Sequence, residues 1–404
     1  MTHITFALLK EGKTPPDHRA VLSPTSMTDA QERYPKARFI VESSSVRVFP
    51  DVAYEKAEFE VLRDVSAADV MLGVKEVRIE DLIPNKKYFF FSHTIKKQPY
   101  NRALLKAVLD KNIELYDHEV ITNKRGLRLI GFGRYAGLVG AYNGFRAYGL
   151  KHKLYDLPPA SILTDIDALH GQLAKIELPA LKIVLTGTGK VATGAAEILN
   201  TMGIKKVSVT EYLTKTFKQA VYVQLGIKDY TRKKDGSAAS NAEFFKDPSG
   251  YESNFMRFAE VTQLFIAGHF YGDGAPYLFT REDAKAENFK IEVIADISCD
   301  VDGPVASTLR ASTIADPFYG YDAKTETEVA MDAEGAITVM AVDNLPCELP
   351  KDASEGFGEM FIEHVLPAFF DKDKDGILQR ARMTQNGKLT KRFSYLQDYV
   401  DGKE

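Results

Sequence analysis

The chain has 404 residues, 45% of them hydrophobic and 27% charged, with 52 basic side chains against 56 acidic ones. That length predicts two or three domains with sizeable cores, and the composition excludes disorder, collagen, a coiled coil and a basic nucleic-acid face. No apolar run approaches the ~18 residues of a membrane span, and the two cysteines, Cys299 and Cys347, exclude a disulfide framework.

The first predicted strand is Ile4–Leu9, a short apolar run without a basic start. No secretory leader is therefore expected, and the cytoplasm is the expected compartment. Ser23-Pro24 supplies an N-cap and a proline for a helix reaching Tyr34. Strands follow at Arg38–Val41, Val70–Val74, Tyr88–Phe91 and Ile113–Tyr116, with a possible further one at Leu127–Ile130. Helical spacing marks Val52–Leu62 and the segment opened by Pro99, where Leu104, Leu105, Val108 and Leu109 share a face. This alternation predicts a mostly parallel sheet covered by helices.

Several of these runs stop at an ionisable residue: Glu11, Glu42, Lys75, His93 and Glu119. Ligands of open α/β sheets bind outside the carboxyl ends of the strands. Any one such charge is explained by a strand leaving the core. Lys75, His93 and Glu119 at successive strand ends make that edge the candidate ligand site.

A second α/β unit begins at Lys182–Leu185. Gly187, Gly189 and Ala192 fit G-x-G-x-x-A, and a helix to Met202 follows. The next predicted strand, Lys206–Val209, leads to Glu211, 24 positions after Gly187. The dinucleotide fingerprint expects an acid about 20 residues on, glycines for a tight turn and close backbone approach, and pyrophosphate at the helix N-terminus. Gly187, Thr188, Gly189, Lys190 and Val191 are thus the candidate cofactor loop. Glu211 is the candidate ribose acceptor, leaning toward NAD(H) over NADP(H), although Lys215 and Lys218 nearby soften that preference. The alternative is a tight turn without a ligand. Residues 226–260 read as a polar excursion. Thr262–Ala267, Ile291–Ala295 and Ile337–Val342 return to strand composition, and Ala353–Phe370 reads as a helix.

Two other motifs fail. A P-loop needs glycine where Val184 stands and Ser or Thr where Val191 stands. Asp371-Lys-Asp373-Lys-Asp375-Gly376 has Arg382 in place of the closing glutamate of a calcium loop, and reads as a solvated turn.

Gly73-Val74-Lys75, Phe90 to Lys96, Gly131-Phe132-Gly133 and Tyr135-Ala136-Gly137 resemble the lysine–2-oxoglutarate reductase and saccharopine dehydrogenase family. Gly187-Thr188-Gly189, Phe279 to Ala284, Ala295 to Ser298, Asp343 to Pro346 and Glu355 to Gly358 extend the likeness. That family is related to alanine dehydrogenase and the nucleotide-binding subunit of transhydrogenase. The resemblance covers most of the chain, is thinnest from 210 to 250 and past Asp371, and is closest to the reductase half of bifunctional aminoadipic semialdehyde synthase. The other half of that enzyme is not in this sequence, so a single activity is expected.

The resemblance implies an α/β fold of two Rossmann-like, doubly wound parallel-sheet domains with a substrate cleft between them. It assigns 1–134 plus 345–404 to a discontinuous substrate domain and 135–344 to the dinucleotide domain. It implies interconversion of saccharopine with L-lysine and 2-oxoglutarate, using NAD(H) or NADP(H), with no nucleic-acid or membrane partner. Lys75 and His93 match the family's acid–base pair. Glu76 and Glu119 match acids that tune the pair or hold the substrate amine. Arg19 matches a substrate arginine, and Arg128 is a second candidate, since guanidinium suits substrates rich in carboxylates. Asp343 matches a residue near nicotinamide and amine. A free lysine near pKa 10.4 is a poor base, so burial or nearby positive charge is required around Lys75. The rival expectations are an alanine dehydrogenase or other opine-type enzyme, and a non-catalytic NAD(H)-binding subunit.

Overall fold

The structure is a computed structural model and describes residues 3–272 and 274–403. The chain forms two compact units. One runs up to Phe132 and resumes at Pro350; the other is Gly133–Leu349. Among the described residues no helix is long and apolar enough to cross a membrane.

The first unit is built on a six-stranded sheet. Its strands are β1 (Ile4–Leu8), β2 (Ala37–Glu42), β3 (Glu60–Leu62), β4 (Val70–Leu72), β5 (Lys87–Phe90) and β6 (Glu114–Asp117). The order is β3-β2-β1-β4-β5-β6 and every pairing is parallel. This is the doubly wound order, in which two halves run outward from the central first strand. The strands read as nearly continuous apolar runs because helices cover both faces.

Ser23 caps the helix Pro24–Arg33, its hydroxyl accepting the Ser26 N–H at 3.0 Å. The segment expected to be helical over 52–62 divides into the helix Asp51–Lys56 and β3. The possible strand at 127–130 does not form. The Asn123 side chain accepts the N–H groups of Arg125 and Leu127, so the chain turns there, and only an isolated bridge joins Thr122 to Arg128. The carboxyl-terminal helix Pro350–His364 seals the core, with Phe357 and Phe361 against Phe91, Phe89 and the buried His118 ring.

The second unit contributes β7 (Lys182–Thr186), β8 (Lys205–Lys206), β9 (Val221–Leu225), β10 (Thr231–Lys233), β11 (Tyr251–Ser253), β12 (Leu264–Ala267), β13 (Val293–Asp296), β14 (Phe318–Asp322), β15 (Thr327–Val329) and β16 (Ile337–Met340). Eight of them form a sheet of order β15-β14-β16-β13-β12-β7-β9-β8, parallel except for β14 and β15. The polar excursion at 226–260 is ordered. It holds the β10–β11 hairpin and short helices at Ile227–Tyr230 and Asn241–Lys246.

The helix Gly133–His152 is buried nearly all round. It carries no amphipathic stripe, so hydrophobic periodicity does not reveal it. At Gly137 an added Cβ would run into the Val191 carbonyl, and this position lets the helix Lys190–Thr201 pack backbone to backbone against it.

Candidate active site

In the first unit, Glu42, Glu11, Lys75, His93 and Glu119 stand at or just past the carboxyl ends of β2, β1, β4, β5 and β6, in that spatial order. Parallel strands align their ends, so the sheet gathers these charges along one edge.

Lys75 is half-buried, three residues beyond β4. Burial lowers its pKa from the usual lysine range. The positive charges of Arg19 and Lys13 lower it further, against the opposing pull of Glu76 and Asp17. The cost of charging the amine makes such a lysine a more available base than a free one.

His93 has a left-handed backbone, φ 51°, uncommon for a residue with a side chain. Its Nδ1 lies 2.5 Å from Glu76 Oε1. Burial pushes the Glu76 carboxyl up, but the His93 hydrogen bond and charge outweigh it and hold the group down at about 2. Asn101 Nδ2 at 3.4 Å and Lys13 Nζ at 3.7 Å complete the surroundings of Glu76. The strand-to-His93 segment is anchored by the fully buried Asp117. Its carboxylate accepts the Ser92 N–H at 2.9 Å, the Ser92 hydroxyl, and the Glu119 N–H at 2.7 Å. Burial raises the Asp117 carboxyl to about 6.

Two expected substrate arginines are already engaged. Arg19 is buried and grips Asp17 with both arms of its fork, Nε to Oδ1 at 3.0 Å and Nη2 to Oδ2 at 2.6 Å. Its guanidinium also lies 4.2 Å from the Phe132 ring centre. Asp17 thus takes the Nε–Nη2 edge of the fork, and Arg19 also acts on Lys75 through its charge. Arg128 is half-exposed and tied to Glu119, Nε to the carbonyl at 3.1 Å and Nη2 to Oε1 at 3.3 Å. Sequence reasoning missed Asp17, Lys13 and Asn101. Asp17 was accessible to it, because residues two apart in an extended segment share a face.

In the second unit, Gly187 ends β7 with φ 99°, and an added Cβ would strike the backbone of Gly268. β9 holds this turn from the side: the Gly187 N–H donates to the Leu225 carbonyl at 2.8 Å, and Gln224 Nε2 donates to the Gly187 carbonyl at 3.1 Å. Thr188, Gly189 and Lys190 are exposed, Val191 half-buried, and an added Cβ at Gly189 would meet open space. Gly189 is the N-cap of the twelve-residue helix Lys190–Thr201, so the positive end of that helix, whose first N–H groups have no intrahelical acceptor, faces an open approach at Gly189. These residues fit the pyrophosphate of a dinucleotide.

The Glu211 placement needs correction. The strand expected over 206–209 is the two-residue edge strand β8. Ser208 then caps the helix Val209–Thr214 in a reciprocal box with Glu211, whose carboxylate also pairs with Lys215 at 2.9 Å. The pattern Ser-x-x-Glu is itself the signature of such a box. β7's neighbour is β9, which sequence reading passed over, and β8 lies one strand further out. Asp343 is exposed beyond β16. At the end of β13, Asp296 is buried and accepts from Ser298, Thr308 and the Cys299 N–H, with burial raising its carboxyl to about 6.

The family description "Alanine dehydrogenase/PNT, N-terminal domain" matches residues 7–139. The mitochondrial alpha-aminoadipic semialdehyde synthase of Bos taurus is 30% identical over 99% of this chain and 48% of its own length. Its Arabidopsis thaliana counterpart is 27% identical over 96% and 40%. The chain thus spans about half the length of these relatives. The saccharopine dehydrogenase (NAD(+), L-lysine-forming) of Yarrowia lipolytica is 24% identical over 89% of this chain and 90% of its own. Among solved structures, an L-alanine dehydrogenase aligns with TM-score 0.64 at 16% identity, covering 99% of this chain and 100% of that one. A transhydrogenase from Sinorhizobium meliloti aligns with TM-score 0.57 at 15% identity, covering 96% and 100%. The chain therefore has the Rossmann-like α/β fold of the alanine dehydrogenase group.

Proposed function

We propose that this relative of the saccharopine dehydrogenases and aminoadipic semialdehyde synthases is a nicotinamide-dependent oxidoreductase acting on a CH–NH bond. It interconverts saccharopine with L-lysine and 2-oxoglutarate. The observation that carries this is the half-buried Lys75 beside the Glu76–His93 pair, in a chain 30% identical across nearly its whole length to the Bos taurus synthase.

The chemistry joins an amine to a keto acid. The ε-amine of lysine attacks the keto carbon, water leaves, and the resulting imine becomes a secondary amine on gaining a hydride at carbon and a proton at nitrogen. Gly187, Thr188, Gly189, Lys190 and Val191 would hold the dinucleotide, NAD(H) or NADP(H), which when bound supplies that hydride. Lys75, with its pKa depressed, takes the proton that the attacking ammonium must lose. His93 moves the proton that converts the carbinolamine hydroxyl into leaving water. Glu76 occupies Nδ1 and leaves Nε2 for that exchange. Arg19 and Lys13 keep Lys75 deprotonatable, while Glu119 and Arg128, which pair with each other at 3.3 Å, are the first unit's candidates to exchange that pairing for the substrate's ammonium and carboxylates.

The test follows NADH and NADPH oxidation with 2-oxoglutarate in the presence of lysine, ornithine or alanine in turn. Turnover with lysine alone supports the proposal. Turnover with another amine transfers the chemistry to a different amino acid, and nucleotide binding without turnover on any amine overturns it.

A further inference from the structure

Two charges of the sheet edge, Glu42 and Glu11, have no part in the chemistry above, and of these Glu11 reaches the candidate base. It follows β1, and β1 lies beside β4. Its carboxylate spans the two consecutive N–H groups that precede and include the candidate base. Oε1 accepts the Val74 N–H at 2.7 Å and Oε2 accepts the Lys75 N–H at 2.8 Å. A carboxylate offers one oxygen to each donor, and bonds to a charged acceptor are the stronger kind. β4 ends at Leu72; beyond it the Val74 carbonyl still accepts the Phe91 N–H at 2.9 Å, while the Val74 and Lys75 N–H groups are held by this side chain.

We infer that Glu11 is a positioning residue for Lys75, fixing the backbone from which the amine projects. The inference rests on the reading of Lys75 as an acid–base group. A misplacement of ~1 Å is worth about 100-fold in rate, so a grip on backbone is enough to control turnover. Glu11 faces Asp17 and Arg19 from the loop after β1, and Lys75 itself. Glu42, Glu76, Asp81, Lys10 and Arg78 line the cavity of about 110 Å³ beside it. Burial raises its carboxyl to about 7, with Asp17 adding to the rise while the two N–H groups and Arg19 oppose it. Protonation replaces one accepting oxygen with an O–H, so the grip loosens as the pH falls below neutrality.

The experiment compares Glu11→Gln with the parent chain. Glutamine keeps the volume but turns an NH2 toward one of the two N–H groups. Three results are expected together: turnover falls about 10- to 100-fold, the KM for the amine changes little, and the acidic limb of the kcat profile moves. A readout independent of catalysis is the pH dependence of Lys75 labelling by fluorodinitrobenzene, followed by peptide mass spectrometry, and this is expected to shift as well. Nucleotide affinity, read by NADH fluorescence, is expected to stay the same. The melting temperature at pH 8 is expected to hold or rise, because the variant buries no charge. Should Glu11→Gln fold poorly, Glu11→Asp retains the charge but is one methylene short of spanning both donors, and a partial loss of turnover is expected. Unchanged labelling and turnover overturn the inference. A fall in turnover accompanied by equal losses of melting temperature and nucleotide affinity also overturns it, since that marks a merely structural role. Shifted labelling with unchanged turnover supports the positioning while removing Lys75 from the chemistry.

Discussion

At the carboxyl edge of the six-stranded sheet, charge is met by charge: Asp17 holds Arg19, Glu76 holds His93, and Lys75 stands among them with its ionisation suppressed. At the turn after β7 the means are different. There Gly187 and Gly189 clear space, and the start of the helix Lys190–Thr201 offers backbone N–H groups. The first arrangement displaces pKa values and so prepares groups to move protons. The second offers fixed dipoles that bind an anion without titrating. Variants in the first region should therefore change rates and pH profiles, and variants in the second should change nucleotide affinity.

The sharpest attempt to break this division is Lys75→Met. It removes the proposed base and keeps a side chain of similar length. Turnover with lysine and 2-oxoglutarate is expected to drop ~10²- to 10⁴-fold, with NADH affinity unchanged in a fluorescence titration. Retained turnover removes Lys75 from the mechanism. A parallel loss of NADH affinity breaks the comparison itself.

Asp17→Asn comes next. Arg19 is 2% exposed and Asp17 1%, so the variant removes the carboxylate charge that a buried guanidinium grips. Breaking such a pair costs about 3–5 kcal/mol, to be read from urea unfolding of the full chain. Asp17 also opposes the depression of the Lys75 pKa. Its removal is expected to move the limb of the pH–rate profile that reports Lys75 to lower pH. A stability loss below about 1 kcal/mol would mean that water or another acid neutralises Arg19 in solution.

The sequence discloses these two regions unequally. The charges at strand ends were readable because each strand of the first sheet is a short apolar run that stops at a polar residue, and parallel pairing aligns those stops. Their partnerships were not. Nothing in the order of residues says that Arg19 grips Asp17, or that Arg128 leans on Glu119. Those are distances across loops. In the second unit the Gly187 turn was readable, but the helix Gly133–His152 was not, because a helix buried all round has no polar face to give it a period. Glu211 was misplaced because Lys206–Val209 has strand composition, while Ser208 and Glu211, three apart, close a capping box. Beside β7, opposite β12, lies Val221–Leu225, a short run buried at four of its five positions, whose length alone does not tell strand from helix.

A smaller effect tests how the buried carboxylates bear on stability. Burial raises Glu11 and Glu348 to about 7, and Asp117 and Asp296 to about 6. A carboxyl whose folded pKa lies above its unfolded value takes up a proton on folding. Its stabilisation is complete below the unfolded value, near 4, and is lost as the pH rises through 6 to 7. Glu76, held at about 2, works the other way and loses its contribution only as the pH falls below about 4.5. The buried His118 and His269, which burial lowers to about 4, act in the opposite sense below about pH 6.5, but four raised carboxyls outweigh two histidines, and the melting temperature is expected to be higher at pH 5 than at pH 8. The reverse slope would mean that these carboxyls stay charged in the folded chain.

The smallest expected effect concerns the second region alone. Glu211 is exposed, its acidity strengthened first by Lys215 and then by Ser208, and it belongs to the helix after the edge strand β8. In a doubly wound sheet the acid that reads the adenosine ribose is carried at the end of the strand adjoining the first. That strand here is β9. Glu211→Gln preserves the capping box, since glutamine serves at that position as well as glutamate. The ratio of kcat/KM for NADH to that for NADPH is then expected to change less than about threefold, well under the tenfold that 1.4 kcal/mol would bring. A swing of tenfold or more toward NADPH would return Glu211 to the ribose, and would require the segment after β8 to approach the Gly187 turn when nucleotide is bound.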